Sequence, residues 1–347
     1  MRMNCINPAT DAKWRRLLEH YPSTLFHSPE WIRVVQQSYD LNIQAHVLSD
    51  DQGEPIAGMT FCRIDDIMDP RIVSMPFSDY CDPLVQEDIH WTRLIERLQE
   101  APCPIVIRCL FNDLPLSDER FTHYNRAHWH GVDLQPDIDT LWQQIDETSR
   151  RAIRKARKSG VVVRVAQNKT ELRRFYEMHL QIRKYKYHML AQPYSLFENL
   201  WEEFVERQNG FLMLAVQDNT IIGGIYLLGW KDTIYYKFNA SDITHLGYRP
   251  NDLLAWESII HARECGYTRW DFGLSDWDQA GLVRYKRKFA PDERVITFLR
   301  HTPAGLPTTR EMQLRGLMHQ LTTLFVDESV PDQVTARAGE TLYRFFT

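Results

Sequence analysis

FLMLAVQDNTIIGGIYLLGWKDTIYYKFNA, residues 211–240, reads as three strands in succession. Runs rich in β-branched and aromatic residues (211–217, 221–230 and 233–240) are separated by Asp218-Asn219 and Lys231-Asp232, dipeptides suited to tight hairpin turns. Upstream, VVVRVA (161–166) reads as a strand, and Asn168 to Thr170 offers caps for a helix through ELRRFYEMHLQIRKYK. A second helix is expected from Ser195 to Gln208. Downstream, DLLAWESIIHARE places apolar residues at helical spacing and stops at Cys265-Gly266. TRWDFGL then reads as a strand, GLVRYKRKF as a short helix and RVITFLR as a last strand. The order is strand, two helices, three strands, helix, strand, helix, strand, which predicts an α/β (α+β) class with a mixed sheet flanked by helices.

The first half repeats the plan. VLSDDQGEPIAGMTF (47–61) can be laid beside AVQDNTIIGGIYLL (215–228) so that Ile56, Ala57 and Gly58 fall on Ile222, Gly223 and Gly224. Helical stretches at 11–20 and 28–39 precede it; a strand at RIVSMPFS, a helix near Ile89 to Leu98 and a strand at PIVIRCL follow. Duplication is the simplest account. The expected division is an N-terminal domain over 1–140, a C-terminal catalytic domain over 141–301 with the junction near 135–148, and a helical tail over 302–347. That tail begins with Pro303, Gly305 and Pro307 and holds two helices whose apolar residues recur at three and four.

The chain has 347 residues, 44% apolar and 25% charged, a globular profile long enough for two cores. Its net charge of -5 excludes a surface that is basic throughout, so any polyanion contact is local and DNA is not expected as a partner. Six scattered cysteines form no CxxC pair and no metal-ligand spacing, the usage of a reducing compartment. The first twenty residues show no apolar signal core, and no stretch approaches a membrane span, so a cytoplasmic protein is expected.

Three stretches carry chemistry or its alternatives. In WDFGLSDWDQAGLVRYKRKFAPDE (270–293), Trp270 and Phe272 are expected on one side of the strand and Asp271 on the other, near a tip ended by Gly273. Strand tips are common ligand sites in α/β sheets, although Asp271 is equally suited to capping the next turn. In YKRKF, Tyr285 and Phe289 share a helical face, and one of Lys286, Arg287 and Lys288 can aim at a phosphate or a developing oxyanion, or all three can complement the helix dipole. TSRRAIRKARKSGV (148–161) packs six cations into residues 150–158 with no interleaved acid. On a helix starting near Asp139 or Thr140, these fan out around a narrow face of Ile145, Ser149, Ala152, Ile153 and Ala156. HYNRAHWHG puts His128 and His130 on one strand face, without a third ligand at metal-binding spacing, so the histidines read as structural. No GxSxG, HExxH or Walker motif occurs, and DFG stands without the other kinase motifs.

Residues from about 24 to 300 resemble the FemABX-related branch of the GNAT N-acyltransferase superfamily, in particular its BioF-like acetyltransferase domain. The resemblance is carried by LFHSPEW (25–31), SMPFSDYCDPL (74–84), SRRAIRKARKSGVVV (149–163), GWKDTIYYK (229–237), RPNDLLAWESI (249–259), WDFG (270–273) and GLVRYKRKFA (281–290). It implies a tandem (double) GNAT fold with two mixed central sheets, and transfer of an acyl or aminoacyl group to an amine-bearing small molecule, peptide or glycan precursor, in cell-envelope or exopolysaccharide synthesis. The family's [FY]K-x-x-[FW]-[GA] motif falls on Tyr285, Lys286, Phe289 and Ala290, which implies that Lys286 stabilises the reacting ester. Asp271 or Tyr236 is the expected proton relay. Lys237, Asn239 and Asn251 are candidates for donor binding, Arg183 for an anionic substrate group, Asp79 and Tyr80 for the acceptor, and Arg154 and Lys158 for tRNA or an anionic acceptor. No tightly bound cofactor or metal is implied; the co-substrate is acyl-CoA or aminoacyl-tRNA. The turn that cradles CoA pyrophosphate in GNAT enzymes is glycine-rich, whereas THLGYRPND (244–252) has one glycine and a proline, so the donor stays open between the two. The alternative reading is a non-catalytic GNAT-like protein that binds a nucleotide sugar or lipid-linked glycan.

Overall fold

The structure is a computed structural model. It describes residues 1–306 and 309–347, and the side chains of 309–311 are not described. Pro307 lies outside the described residues. In chain order the elements are β1 (Arg2–Ile6), α1 (Ala12–His20), α2 (Pro29–Tyr39), β2 (Ile43–Ser49), β3 (Pro55–Ile64), β4 (Arg71–Val73), α3 (Asp88–Gln99), β5 (Ile105–Cys109) and β6 (Thr122–Asp133). There follow α4 (Ile138–Gln144), α5 (Glu147–Lys158), β7 (Val162–Val165), α6 (Lys169–Gln181), α7 (Tyr194–Leu200), β8 (Gly210–Gln217), β9 (Thr220–Trp230) and β10 (Thr233–Ser241). The chain ends with α8 (Pro250–Glu264), β11 (Arg269–Asp276), α9 (Ala280–Arg287), β12 (Asp292–His301), α10 (Thr309–Phe325) and α11 (Asp332–Leu342).

Two compact units emerge. The first contains Met1–Ala127, Val295–His319 and Arg344–Thr347; the second contains His128–Arg294 and Gln320–Tyr343. The chain thus passes from the first unit to the second within β6 and returns within β12.

In the first unit, β2 pairs with β1 and β3, β3 with β4, and β5 with β12, all antiparallel, whereas β4 and β5 are parallel across α3. In the second, β8 pairs antiparallel with β7 and β9, and β9 with β10, while β10 and β11 are parallel across α8. The same sequence of pairings therefore occurs twice. Gly58 of β3 and Gly224 of β9, matched by the internal alignment, also do the same work. A Cβ on Gly58 would lie 2.7 Å from Leu17 Cδ1 of α1, and one on Gly224 would lie 2.8 Å from Phe175 Cδ2 of α6. Each glycine lets a helix close on its sheet.

Local chemistry places the elements of the second unit. Asp218 and Asn219 both take positive φ (48° and 62°), as a primed hairpin turn requires. The Asn168 side chain accepts from Glu171 N and caps α6. Both α6 and α7 run on into a π turn, at Ile182–Lys186 and Trp201–Val205, so the second expected helix changes pitch midway. The single helix expected from Asp139 through Ser159 is two. Ile145 takes an extended conformation, and the Asp146 carboxylate accepts from Thr148 N (2.8 Å) to start α5 afresh. A capping aspartate outcompetes helical continuation there. The core of this unit is built by Ile153 and Ala156 of α5, Leu254 and Trp256 of α8, Trp270 and Phe272 of β11 and Phe289 just after α9.

Candidate functional site

The parallel ladder of β10 and β11 is short. It runs from Thr233↔Arg269 through Ile234↔Trp270 to Tyr235↔Asp271. A bulge between Tyr236 and Phe238 then bends β10, which continues on β9 alone to Ser241↔Gly223. β11 continues to Asp276 through Gly273, whose φ of +68° kinks it. The parallel pairing of the two strands ends at residues 235 and 271.

Lys286 occupies this position. Its side chain, 3% exposed, donates from Nζ to Gly273 O (3.0 Å) and Leu274 O (2.8 Å). Of the three cations in YKRKF it is the buried one; Arg287 is exposed and holds Glu293 with two bonds of 2.7 and 2.8 Å, and Lys288 is half-buried. Helical spacing explains the choice, since Val283, Lys286 and Phe289 and Ala290 lie on the inward side of the helix and its end. A buried ammonium held by two carbonyls is a preorganised positive charge in a low-dielectric setting.

Several expected residues gather on the same face. Tyr285 donates to Asn251 O (3.1 Å), and its ring lies 5.5 Å from that of Phe289. Tyr236 packs on Phe272 at 5.2 Å. Asn239 donates to Asn251 Oδ1 (3.3 Å) and to Gly224 O (3.3 Å), which ties β10 to the first turn of α8. Burial raises the pKa of both Tyr236 and Tyr285 above the ordinary phenol value, so both stand as neutral donors.

The other expected residues make different contacts. Asp271, 3% exposed, alternates with Trp270 and Phe272 and so points to the opposite face of β11 from the core they build. Its Oδ1 accepts from Gly273 N (2.6 Å), which fixes the kink; Gly273 bends the strand and does not end it, so Asp271 is not at the tip expected from sequence. Lys237 sits half-buried at the bulge. Arg183 belongs to the π turn after α6 and donates to Leu190 O (3.0 Å). Arg154 and Lys158 are exposed on α5, where Arg154 lies over the Trp142 ring (5.5 Å). Asp79 and Tyr80 belong to the first unit, where Tyr80 is 1% exposed and meets Phe26 edge-on at 5.0 Å.

Three participants carried no sequence signal. Asp252, in the first turn of α8, accepts from Ser149 of α5 (2.9 Å), and burial raises its pKa. Ser241 donates to Asn251 Oδ1 (2.5 Å). The carbonyls of Gly273 and Leu274 enter only through the fold. The segment before α8 is a 3-10 helix, Ile243–Tyr248, followed by Arg249 in the left-handed region and Pro250 as the first helical residue. Among the described residues, no group of three or more His, Cys, Asp or Glu side chains is placed to hold a metal, and no helix is long and apolar enough to cross a membrane.

Comparison with known proteins agrees with this geometry. Residues 144–287 match the family model described as Acetyltransferase (GNAT) domain. No curated protein matches the sequence. Among solved structures, FemX aligns over 92% of this chain and 100% of its own at 14% identity, with a TM-score of 0.66. L-PGS from Bacillus licheniformis aligns over 90% and 98% at 13% identity (TM-score 0.57). A tandem GNAT protein from the clavulanic acid biosynthesis pathway aligns over 88% and 100% at 10% identity (TM-score 0.54). At such identities the likeness is one of fold. Residues 144–287 thus match the GNAT acetyltransferase-domain model, and the fold of the chain is like that of FemX and the tandem GNAT protein.

Proposed function

We propose that the chain is an N-acyltransferase that moves an acyl or aminoacyl group from an activated ester or thioester onto an amine, in cell-envelope or exopolysaccharide synthesis. The observation that carries this reading is Lys286, buried and held by the Gly273 and Leu274 carbonyls, past the point on β11 where its pairing with β10 ends. An ester or thioester is already activated, so the enzyme's task is to position the amine and to stabilise the negative charge that grows on the carbonyl oxygen. Lys286 supplies that charge within the catalytic stretch 141–301. Tyr236, kept neutral by burial, serves as a hydrogen-bond donor beside it, while Tyr285 spends its proton on Asn251 O and braces the start of α8. Asn239 and Asn251 shape the donor's seat at the start of α8.

Two donors fit this chemistry, acyl-CoA and aminoacyl-tRNA. The Asp252 carboxylate in the first turn of α8 disfavours a second anion at that helix end, which speaks for a donor not gripped there by pyrophosphate. The exposed cations of α5 offer a local polyanion contact, consistent with the tRNA ester.

The test is a thermal-shift and filter-binding panel of acetyl-CoA, aminoacyl-tRNA and UDP-linked sugars at two salt concentrations, followed by transfer assays with Lys286→Met. A donor that binds the folded state raises the melting temperature, and a tRNA contact weakens steeply with salt. Loss of Lys286 is expected to lower the transfer rate about 10²–10³-fold, the size of removing one oxyanion donor. A wild-type rate in Lys286→Met, or binding of a sugar nucleotide without transfer, refutes the reading.

A further inference from the structure

Among the described residues, His130 interacts electrostatically with Lys286 and has no part in the proposed chemistry. It lies in the part of β6 that belongs to the second unit, and β6 neighbours β11. Leu134, just past the end of β6, donates to Thr268 O just before β11 (2.9 Å), so the two strands run antiparallel. The imidazole is 0% exposed, yet neither Nδ1 nor Nε2 has a hydrogen-bond partner. A buried polar atom left unpaired costs about 1–3 kcal/mol, and such a site in a native protein calls for a missing partner. The ionisable groups around it are Lys286 and Arg287 of α9, Glu293 at the start of β12, and His128 two residues away on its own strand.

The neighbours also orient the ring. Glu293 Oε2 lies 3.8 Å from Nε2, too far for a hydrogen bond but close enough to favour the tautomer with its proton on Nε2. Glu293 is itself fixed by Arg287 (2.7 and 2.8 Å) and by His128 Nδ1 (2.7 Å), whose ring stacks on Trp277 at 4.1 Å. Nδ1 is then left as a lone pair without a donor. Burial, and after it the Lys286 charge, lower the His130 pKa to about 4, so the ring is neutral and ready to accept at neutral pH.

We propose that His130 Nδ1 is the atom that takes the proton from the acceptor amine during transfer. The inference rests on the acyltransferase reading above. The amine lone pair forms the C–N bond to the donor carbonyl carbon, and the carbonyl π pair moves to the oxygen that faces Lys286. Nδ1 takes one N–H proton from the ammonium of this tetrahedral adduct, which is far more acidic than a free alkylammonium and suits a weak base. The oxygen pair then restores C=O as the bond to the leaving oxygen or sulfur breaks, and the imidazolium returns its proton to that leaving group. Amide and alcohol or thiol result, and His130 is neutral again.

The experiment compares two amines, n-butylamine and hydroxylamine, with acetyl-CoA and alanyl-tRNA as donors. His130→Gln is expected to slow transfer to n-butylamine about 10²–10³-fold, within the usual range for a general base, but transfer to hydroxylamine less than tenfold, because its nitrogen gives up a proton much more readily. Lys286→Met should slow both amines alike. Glu293→Gln, which keeps the imidazole in place, should reproduce the amine-dependent loss more weakly and serves if His130→Gln does not fold. Equal losses with both amines, or a wild-type n-butylamine rate, overturn the role of His130 while leaving that of Lys286 intact. Absence of transfer by the wild-type protein from either donor overturns both.

Discussion

Acid should weaken this fold before most of its carboxylates titrate. His46, His130 and His179 are 6%, 0% and 5% exposed, and burial lowers their pKa values to about 4, about 4 and about 3. A histidine whose folded pKa is lowered binds fewer protons folded than unfolded, so its contribution is complete above the unfolded value near 6.5 and is lost as pH falls below it. Between pH 7 and pH 5 each of the three removes about 2 kcal/mol, because the unfolded imidazole is mostly protonated at pH 5 and the folded one is not. Asp82, its pKa raised to about 6 by burial, acts in the opposite sense and returns about 1.5 kcal/mol over the same interval. The net loss, about 4 kcal/mol, is a large part of the 5–15 kcal/mol expected of a folded domain. Urea unfolding at half-unit steps from pH 7.5 to 5 should show this fall, and His179→Gln should flatten it by about 1 kcal/mol per pH unit between pH 7 and 5. Equal stability at pH 7 and 5, or an unchanged slope in His179→Gln, would show that these rings are not held neutral and would refute the burial argument.

Other outcomes follow from single positions. Gly273→Ala places a side chain at φ +68° and displaces the carbonyls that hold Lys286, so it should cost more than about 1 kcal/mol in thermal unfolding and also lower the transfer rate. Tyr285→Phe removes the bond to Asn251 O and should lower stability by about 1 kcal/mol, read as a shift in urea midpoint at constant m. A Cβ at Gly339 would lie 2.3 Å from Ala191 O, so Gly339→Ala should loosen α11 and speed hydrogen exchange over 332–342 while β8 to β11 stay protected. Arg154→Glu with Lys158→Glu should weaken binding of aminoacyl-tRNA and reduce its salt dependence; unchanged binding at low salt would return the basic face of α5 to a solvated helix surface.

The sequence alone determined the element order from residue 161 to 300, the meander of 211–240, the internal duplication and the motif that carries Lys286. Those features are local: β-branched runs, two-residue turns at Asp218-Asn219, the Asn168 cap and helical spacing are each written within a few residues. The break between α4 and α5 was locally encoded as well, in Asp146, but a run of helix formers on both sides hid it. Chain spacing could not say which of Lys286, Arg287 and Lys288 is buried, because that depends on how α9 meets β11. Nor could it show that Gly273 kinks the strand instead of ending it. His130 is the sharpest case. In sequence it is one histidine of HYNRAHWHG; in the structure its two ring nitrogens are buried, unpaired and set beside Lys286 and Glu293, more than 150 residues away in the chain. Desolvation and unpaired hydrogen-bonding groups arise only when distant segments pack, so only the tertiary structure could decide them.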